Sequence, residues 1–324
     1  MNVDSENDRM ATEIFTLDGS RIWVAGHGGM LGQSLIRYLR RKGAEILTVD
    51  RKGVDLRRQS DVEKWLSDNP VDGIIMAAAT VGGIFANDNY PADFIYDNLN
   101  ISTNVIHAAA QEDVSRLVMI GSSCMYPRLA DQPVAEASLL TGPLEPTNQW
   151  FALAKITALK MCQAYRRQHG RSFITVVPTN LYGPGDNFDP KSSHVVPAML
   201  RKVENARKEG GPVEIWGTGT PRREFLYVDD AASAIAALME HYDNEDPINI
   251  SGGETVSILE LAQRAAEIVG YEGTFETDPS KPDGMPIKQL DNSRIAAMGI
   301  WQPKVELSHG LELTYRWYCE NYMV

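Results

Sequence analysis

The sequence contains few cysteines and, relative to its acidic residues, few basic ones. Its three cysteines, Cys124, Cys162 and Cys319, lie far apart and are odd in number. They do not suggest a disulfide framework, and such sparse use is typical of a reducing compartment, so we expect a cytoplasmic protein. The 31 lysines and arginines against 43 aspartates and glutamates give a formal net charge of -12. This charge argues against general binding to nucleic acid or to anionic membrane surfaces.

Long hydrophobic runs and a basic leader are also missing. No apolar run in the 324 residues is long enough to span a bilayer. Residues 1–20 contain Asp4, Glu6, Asp8 and Glu13 and no apolar core, so we expect a flexible N-terminal extension and not a signal peptide. No internal repeat is visible, and no metal site is predicted.

Short apolar strands alternate with helical patterns through the first half of the chain. The predicted strands cover residues 21–25, 45–50, 73–79, 116–120 and 172–177. This alternation predicts an α/β fold with a Rossmann-type, doubly wound parallel sheet.

The regular alternation weakens in the second half of the chain. We expect a dinucleotide-binding domain over residues 21–180 and a smaller C-terminal substrate lobe over 181–324, with part of 225–250 returning to the sheet. Within the lobe, a helix is predicted from His194 to near Lys202, and the stretch 217–225 is predicted to be a loop.

A glycine-rich loop follows the first predicted strand. Gly26, Gly29 and Gly32 have the spacing G-x-x-G-x-x-G, and Met30 and Leu31 begin a helical pattern. Glycines let the backbone turn tightly and approach a pyrophosphate at the helix N-terminus. Because strand, glycines and helix occur in this order, the segment predicts a dinucleotide site.

The end of the second predicted strand gives two opposing signals about the cofactor. Asp50 is placed to accept hydrogen bonds from the adenosine ribose hydroxyls, which favours NAD(H). Arg51 and Lys52 follow directly and could instead hold the 2′-phosphate of NADP(H). Both cofactors stay open on this evidence.

A cluster of small polar residues follows the fourth predicted strand. Ser122, Ser123 and Cys124 stand where that strand ends, and Pro127 is expected to stop any helix from starting there. Ligands of open α/β sheets bind beyond the carboxyl ends of the strands. The cluster is therefore either a binding site with one acid–base group or a turn with an inert buried thiol.

Several motifs together resemble extended short-chain dehydrogenase/reductases that act on nucleotide sugars. The group that the chain resembles most epimerises and reduces GDP-4-keto-6-deoxy-D-mannose with NADP(H), and its members are homodimers. The matching segments are AGH at 25–27, AATVGGI at 78–84, YPADFIY at 90–96, GSSCMYP at 121–127, PTNLYGP at 178–184, WGTGTP at 216–221 and SKPDG at 280–284.

The resemblance implies roles for the residues that match. Ser122 would hold the sugar, Cys124 would remove protons at C3 and C5, and His194 would return them on the opposite face. Lys155 would bind the nicotinamide ribose. Further cofactor contacts are implied at Pro178, Asn180, Leu181 and His194, and contacts with the GDP-sugar substrate at Lys202, Trp216, Arg223, Asp283 and Lys288.

The chain departs from the resembled group at three positions, and one of them is Lys202, where the group usually has arginine. Phe151 stands where the catalytic tyrosine of Tyr-x-x-x-Lys belongs, and Gly28 stands where an arginine commonly helps to hold the 2′-phosphate. A phenyl ring cannot donate the proton that completes reduction at C4. The chain is therefore an engineered Tyr-to-Phe variant, a homologue that uses Tyr126 or water as the donor, or a silent dinucleotide-binding partner protein. Another keto sugar, such as a dideoxy sugar or a heptose, is the alternative substrate.

Overall fold

A parallel sheet forms the centre of the protein. The structure, a computed structural model, describes residues 13–190, 192–281 and 283–323. The strands of the described residues are β1 (Arg21–Ala25), β2 (Glu45–Leu47), β3 (Gly73–Met76), β4 (Arg116–Ile120), β5 (Ser172–Pro178), β6 (Asn180–Tyr182), β7 (Val213–Trp216), β8 (Arg222–Tyr227), β9 (Ile248–Ile250), β10 (Thr255–Ser257), β11 (Phe275–Asp278) and β12 (Ile287–Lys288). The central sheet has the order β2-β1-β3-β4-β5-β9, and each neighbouring pair is parallel.

Helices cover both faces of this sheet. The helices of the described residues are α1 (Met30–Arg41), α2 (Gln59–Asp68), α3 (Ile84–Asn89), α4 (Pro91–Gln111), α5 (Gln149–His169), α6 (Val195–Glu209), α7 (Val228–His241), α8 (Ile258–Val269), α9 (Ser293–Met298) and α10 (Leu307–Tyr322). α1 and α7 pack on one face, and α2, α4 and α5 pack on the other. The predicted Rossmann-type, doubly wound α/β fold is confirmed.

The side chains of β1 alternate between the two helix layers. Ile22 and Val24 pack in the cluster with α1 and α7, whereas Trp23 and Ala25 pack in the cluster with α2, α4 and α5. All four are buried. Because both faces are covered, the strands are almost continuously apolar, and the sequence pattern therefore located them well.

A smaller group of strands and helices follows the central sheet in the chain. β8 pairs with β6 and β12 in parallel and with β10 antiparallel, and β7 pairs with β11. α6, α8 and α10 supply the buried side chains of this part, among them Leu200, Leu261 and Leu311. β9 lies at the edge of the central sheet beside β5.

Several predicted elements have other bounds in the structure, and among them the predicted strand 73–79 ends at Met76. The predicted loop 217–225 is wrong in its second half, because Arg222 and Arg223 lie in β8, where β10 and β12 pair with them on the two sides. The predicted strand 45–50 is too long, because Asp50 forms a turn by accepting from the backbone N–H groups of Lys52 and Gly53. α6 continues to Glu209, past the predicted end near Lys202.

The N-terminal region is packed as far as the structure describes it. Residues 1–12, and with them Asp4, Glu6 and Asp8 of the predicted extension, lie outside the described residues. Leu17 is buried, and the N–H groups of Ile14 and Phe15 donate to the carbonyl of Glu240. Residues 14–17 are thus attached to the folded part of the protein through Leu17 and the two backbone hydrogen bonds, while Ile14 is 45% exposed. In the described ranges, no helix combines the length and the hydrophobicity needed to cross a membrane.

Candidate active site

Two positions at the junction of β1 and α1 require glycine, one in the loop and one in the first turn of the helix. Gly26 has φ +91°, and a Cβ on it would lie 2.5 Å from the backbone nitrogen of Ala78. A Cβ on Gly32 would overlap the carbonyl oxygen of Gly26. Gly29 caps α1 without a side-chain hydrogen bond, so the first N–H groups of the helix stay available to an anion. This cradle fits the pyrophosphate of a dinucleotide.

The neighbouring turn bears on the choice between NAD(H) and NADP(H). The Asp50 carboxylate accepts from Lys52 N at 3.0 Å and from Gly53 N at 2.8 Å. Arg51 is exposed, and among the described residues its side chain makes no hydrogen bond or ion pair. A Cβ on Gly28 would meet no heavy atom within 4 Å. The residues that bear on the cofactor choice are therefore an exposed guanidinium at Arg51 and open space at Gly28.

Cys124 lies in a tight turn directly after β4. Residues 123–125 form one turn of 3-10 helix, contrary to the expectation that Pro127 prevents any helical turn. The Ser122 hydroxyl accepts from Cys124 N at 3.4 Å, and the Cys124 side chain is buried. Burial raises the pKa of the Cys124 thiol, whereas the positive charges of Lys288 and Lys155 lower it. Cys124 is therefore a buried thiol with two cationic neighbours.

Lys155 on α5 ties this helix to the end of β4. Its ammonium donates to the carbonyl oxygen of Ile120 at 2.8 Å, and burial lowers the pKa of Lys155 to about 8. The same nitrogen lies 5.7 Å from the centroid of the Phe151 ring, as the shared helix face predicts. Phe151 packs edge-on against Phe94 at 6.5 Å between centroids. The position next to Lys155 therefore carries an apolar ring without a hydroxyl.

His194 stands at the N-terminus of α6 and is exposed. Nearby protein atoms still desolvate the ring enough to lower the pKa of His194. The loop before it meets the segment after β3, because Gly83 N donates to the carbonyl of Ser192 at 3.2 Å. A Cβ on Gly83 would lie 2.9 Å from the carbonyl oxygen of Ser193. The close approach of these two loops places the N-terminus of α6, with His194, next to the segment that follows the carboxyl end of β3.

The other predicted cofactor contacts lie where β5 passes into β6. Pro178 is the last residue of β5 and pairs with Ile250 of β9. Asn180 and Leu181 begin β6, and the Asn180 amide donates to the carbonyl of Glu224 at 2.9 Å. Pro178 thus lies at the carboxyl end of β5, and Asn180 and Leu181 lie just beyond it, at the sheet edge where the turn with Cys124 follows β4.

A group of aromatic and charged residues surrounds the end of β7. The ammonium groups of Lys202 and Lys281 lie 5.3 and 5.8 Å from the centroid of the exposed Trp216 ring. Asp283 accepts from Thr218 N at 2.6 Å and so closes the loop next to Trp216. This arrangement offers an aromatic face with cations, as a nucleotide base and a diphosphate require.

Arg223 and Lys288 lie side by side in a neighbouring pair of strands. They are register partners in β8 and β12. The Arg223 guanidinium donates to the carbonyl of Met285 at 2.7 Å. Lys288 lines a cavity of about 30 Å³ together with Cys124. Of the predicted substrate residues, Lys288 is thus the one placed in the wall beside Cys124.

Sequence reasoning missed other residues in this region. Glu145 and Asn148 line the cavity together with Tyr126, which the sequence analysis names as an alternative proton donor, and the Asn148 amide oxygen is buried without a hydrogen-bond partner among the described residues. Lys281 beside Trp216 was missed too. Glu145 and Asn148 precede α5 in a polar segment that has no distinctive spacing, so nothing in the sequence pointed to them. In the part of the chain that the structure describes, no three His, Cys, Asp or Glu residues are grouped as metal ligands.

Comparisons with known proteins agree with this arrangement. Residues 22–251 match the NAD dependent epimerase/dehydratase family. The GDP-L-fucose synthase of Sinorhizobium fredii is 50% identical over 309 residues, covering 95% of this chain and 98% of that protein.

Solved structures show the same similarity. A GDP-6-OMe-4-keto-L-xylo-heptose reductase from Campylobacter jejuni has a TM-score of 0.88 and 34% identity, covering 95% of this chain and 99% of that one. A GDP-L-fucose synthetase from Naegleria fowleri bound to NADP has a TM-score of 0.88 and 27% identity, covering 97% and 98%. The chain belongs to the NAD-dependent epimerase/dehydratase family and, within it, to the relatives of the GDP-L-fucose synthases.

Proposed function

We propose that this chain binds NADP(H) and GDP-4-keto-6-deoxy-D-mannose, epimerises the sugar at C3 and C5, and reduces it at C4 to GDP-L-fucose with impaired efficiency. The position of Cys124 carries this proposal. Its thiol lies in the turn that follows central strand β4, shares a cavity with Lys288 and is subject to the positive charges of Lys288 and Lys155. The extent of similarity to the Sinorhizobium fredii enzyme supports the same substrate.

The epimerisation step uses Cys124 as the base and His194 as the acid. Protons next to a ketone are acidic enough for a positioned thiolate to remove, and the electron pair moves onto the C4 carbonyl oxygen. His194 then returns a proton to the same carbon from the opposite face, which inverts its configuration. Ser122 holds the sugar by a hydrogen bond. Neither Cys124 nor His194 is consumed, because both exchange protons with water.

The reduction step is weakened by Phe151. When bound, the nicotinamide supplies the hydride for C4, and the oxygen at C4 must then receive a proton. Phe151 has no hydroxyl to supply it, and loss of a general acid commonly costs about 10²–10⁴-fold in rate. Tyr126 is a poor substitute, because its hydroxyl donates to Asn249 at 2.6 Å and burial raises its pKa. Water is the remaining donor.

The proposed cofactor is NADP(H). The exposed Arg51 guanidinium in the turn after β2 provides a charge for a 2′-phosphate, and the Naegleria fowleri relative was solved with NADP. Gly28 leaves open the space where a second guanidinium would fit, so we expect weaker discrimination against NAD(H) than a two-arginine site gives. We also propose that the protein works in the cytoplasm as a homodimer.

A second candidate is action at C4 on another GDP-linked keto sugar. The similarity to the Campylobacter jejuni heptose reductase favours it, since 95% of this chain aligns at 34% identity. Phe151 favours a third candidate, a silent dinucleotide-binding protein. The proposed function predicts that the protons at C3 and C5 exchange with solvent, whereas action at C4 alone or a silent protein predicts no exchange.

The decisive experiment incubates the chain with GDP-4-keto-6-deoxy-D-mannose in deuterated water and follows label at C3 and C5 by NMR. We expect exchange at both carbons, loss of exchange in Cys124→Ser, and unchanged exchange in the matched control Cys319→Ser. No exchange in the parent protein would contradict the proposed epimerisation. NADPH oxidation in the same samples measures the reduction separately.

A further inference from the structure

Lys288 has a position that its predicted role as a nucleotide contact does not explain. It lies in the short strand β12 beside Arg223 of β8, and its side chain lines the same cavity as Cys124. Within the described ranges, its ammonium makes no hydrogen bond or ion pair. Lys155, the other cation near the thiol, is by contrast bonded to the carbonyl of Ile120.

Burial raises the pKa of Cys124 and lowers the pKa of Lys288, and the charge of each group opposes this effect on the other. Lys288 is the strongest of the charges that lower the pKa of Cys124, ahead of Lys155, and both oppose the effect of burial. In return, Cys124 raises the pKa of Lys288 against burial and against the nearby Arg223. Glu145, the acid in the cavity wall, also raises the pKa of Lys288 and is ion-paired with Arg128 at 3.4 Å. Tyr126, the remaining titratable group of the wall, is bonded to Asn249.

We propose that Lys288 is the charge partner of Cys124 and holds its thiolate ready to remove the protons at C3 and C5, instead of binding the diphosphate. This inference rests on the proposed function. Because Lys288 acts on the substrate through the sulfur, it is a positioning residue. The thiolate forms a bond to the proton, the C–H bond breaks, and its electron pair passes to the C4 oxygen. His194 reprotonates the carbon, and no oxidant or reductant is needed.

The first test needs no substrate. The ultraviolet absorbance of the thiolate is titrated in the parent protein and in Lys288→Gln, each corrected with its Cys124→Ser counterpart so that only Cys124 is measured. An opposite charge at close range lowers a pKa by about 1–3 units, so we expect the midpoint to rise by about 1 unit or more in Lys288→Gln. Lys288→Arg should restore it, and Lys160→Gln, at an exposed position on α5, should not change it.

A midpoint that stays the same in Lys288→Gln overturns the proposal. Circular dichroism and NADPH binding confirm that each variant is folded, since neither depends on this side chain. Because the titration uses the free protein, its result holds whichever sugar the enzyme accepts.

The second test separates the two roles of Lys288 with substrate present. At saturating GDP-4-keto-6-deoxy-D-mannose in deuterated water, Lys288→Gln should slow exchange at C3 and C5 by about 10-fold or more, with unchanged affinity for GDP. Weaker GDP binding with a parent-like exchange rate would identify Lys288 as a diphosphate contact and overturn the inference. Absence of exchange in the parent protein would instead overturn the proposed function, and the thiol titration would still decide the charge partnership.

Discussion

The Lys155 ammonium donates a hydrogen bond to the carbonyl oxygen of Ile120 over 2.8 Å and so joins α5 to the last residue of β4. Cys124 lies in the turn 123–125, which follows that strand after two residues. The bond therefore fixes the distance between the helix that carries Phe151 and the turn that carries the thiol. Several predictions about the site depend on this connection.

Restoring a hydroxyl at position 151 should restore reduction. Phe151 lies on the same helix face as Lys155, whose ammonium is 5.7 Å from the ring centroid and lowers the pKa of a phenol placed there. We expect Phe151→Tyr to raise the rate of NADPH oxidation with GDP-4-keto-6-deoxy-D-mannose by about 10²–10⁴-fold. Exchange at C3 and C5 serves as the internal control and should change little. Equal oxidation rates in the two proteins would show that Phe151 is not the limiting feature.

Lys155 should make stability depend on pH in the alkaline range. Burial lowers its pKa from 10.5 to about 8, so between these values the unfolded chain binds more protons than the folded one. The contribution of this group therefore rises with pH through that window, by about 3 kcal/mol in total. Urea denaturation at several pH values should show that Lys155→Met loses this rise relative to the parent. Lys160→Met, at an exposed position, should keep it, and a parallel course of the Lys155→Met and parent curves would contradict the prediction.

The two glycines at the helix start should tolerate alanine very differently. In Gly32→Ala the new Cβ overlaps the backbone of Gly26, whereas in Gly29→Ala its nearest neighbour is 3.6 Å away. We expect Gly32→Ala to weaken NADPH binding by more than about 10-fold and to cost about 1–3 kcal/mol of unfolding free energy. Gly29→Ala should bind almost normally. Fluorescence titration and thermal denaturation measure both effects, and similar losses in the two variants would argue against a steric cause.

An arginine at position 28 should strengthen the preference for NADP(H). The space beside Gly28 is open and its backbone is not in the left-handed region, so a side chain fits without strain. A new charge-assisted hydrogen bond to a phosphate is worth about 1.5–3 kcal/mol. We expect Gly28→Arg to lower the Kd ratio of NADPH to NADH by about 10-fold or more, with Gly28→Gln as the uncharged control. An equal gain for both cofactors would show that the arginine does not reach the 2′-phosphate.

The exposed surface of α4 and α5 should form the dimer contact. Tyr96 on α4 and Leu153 on α5 are 64% and 38% exposed, and the two helices pack side by side. Exposed apolar side chains on adjacent helices favour burial against a second copy. Light scattering should find a dimer for the parent and a monomer for Leu153→Glu combined with Tyr96→Glu. Leu129→Glu, at an equally apolar but separate position that is 82% exposed, should stay dimeric.

The sequence by itself determined the parts of the protein that local patterns control. The strands buried on both faces are mostly apolar, and the glycine spacing follows from the close approaches at Gly26 and Gly32. The relation between Phe151 and Lys155 followed from helix geometry alone. These features depend on residues near one another in the chain, so their physical causes are visible in the sequence.

Only the tertiary structure decided how distant segments meet. Arg222 and Arg223 belong to a strand because β10 and β12 pair with them, and no local sequence pattern indicated those two partners. The placement of Lys288 beside Cys124 depends on the same pairing, which brings the C-terminal part of the chain against the turn after β4. The pKa of a buried group is set by every charge that folding brings near it, and those charges come from elements far apart in the sequence.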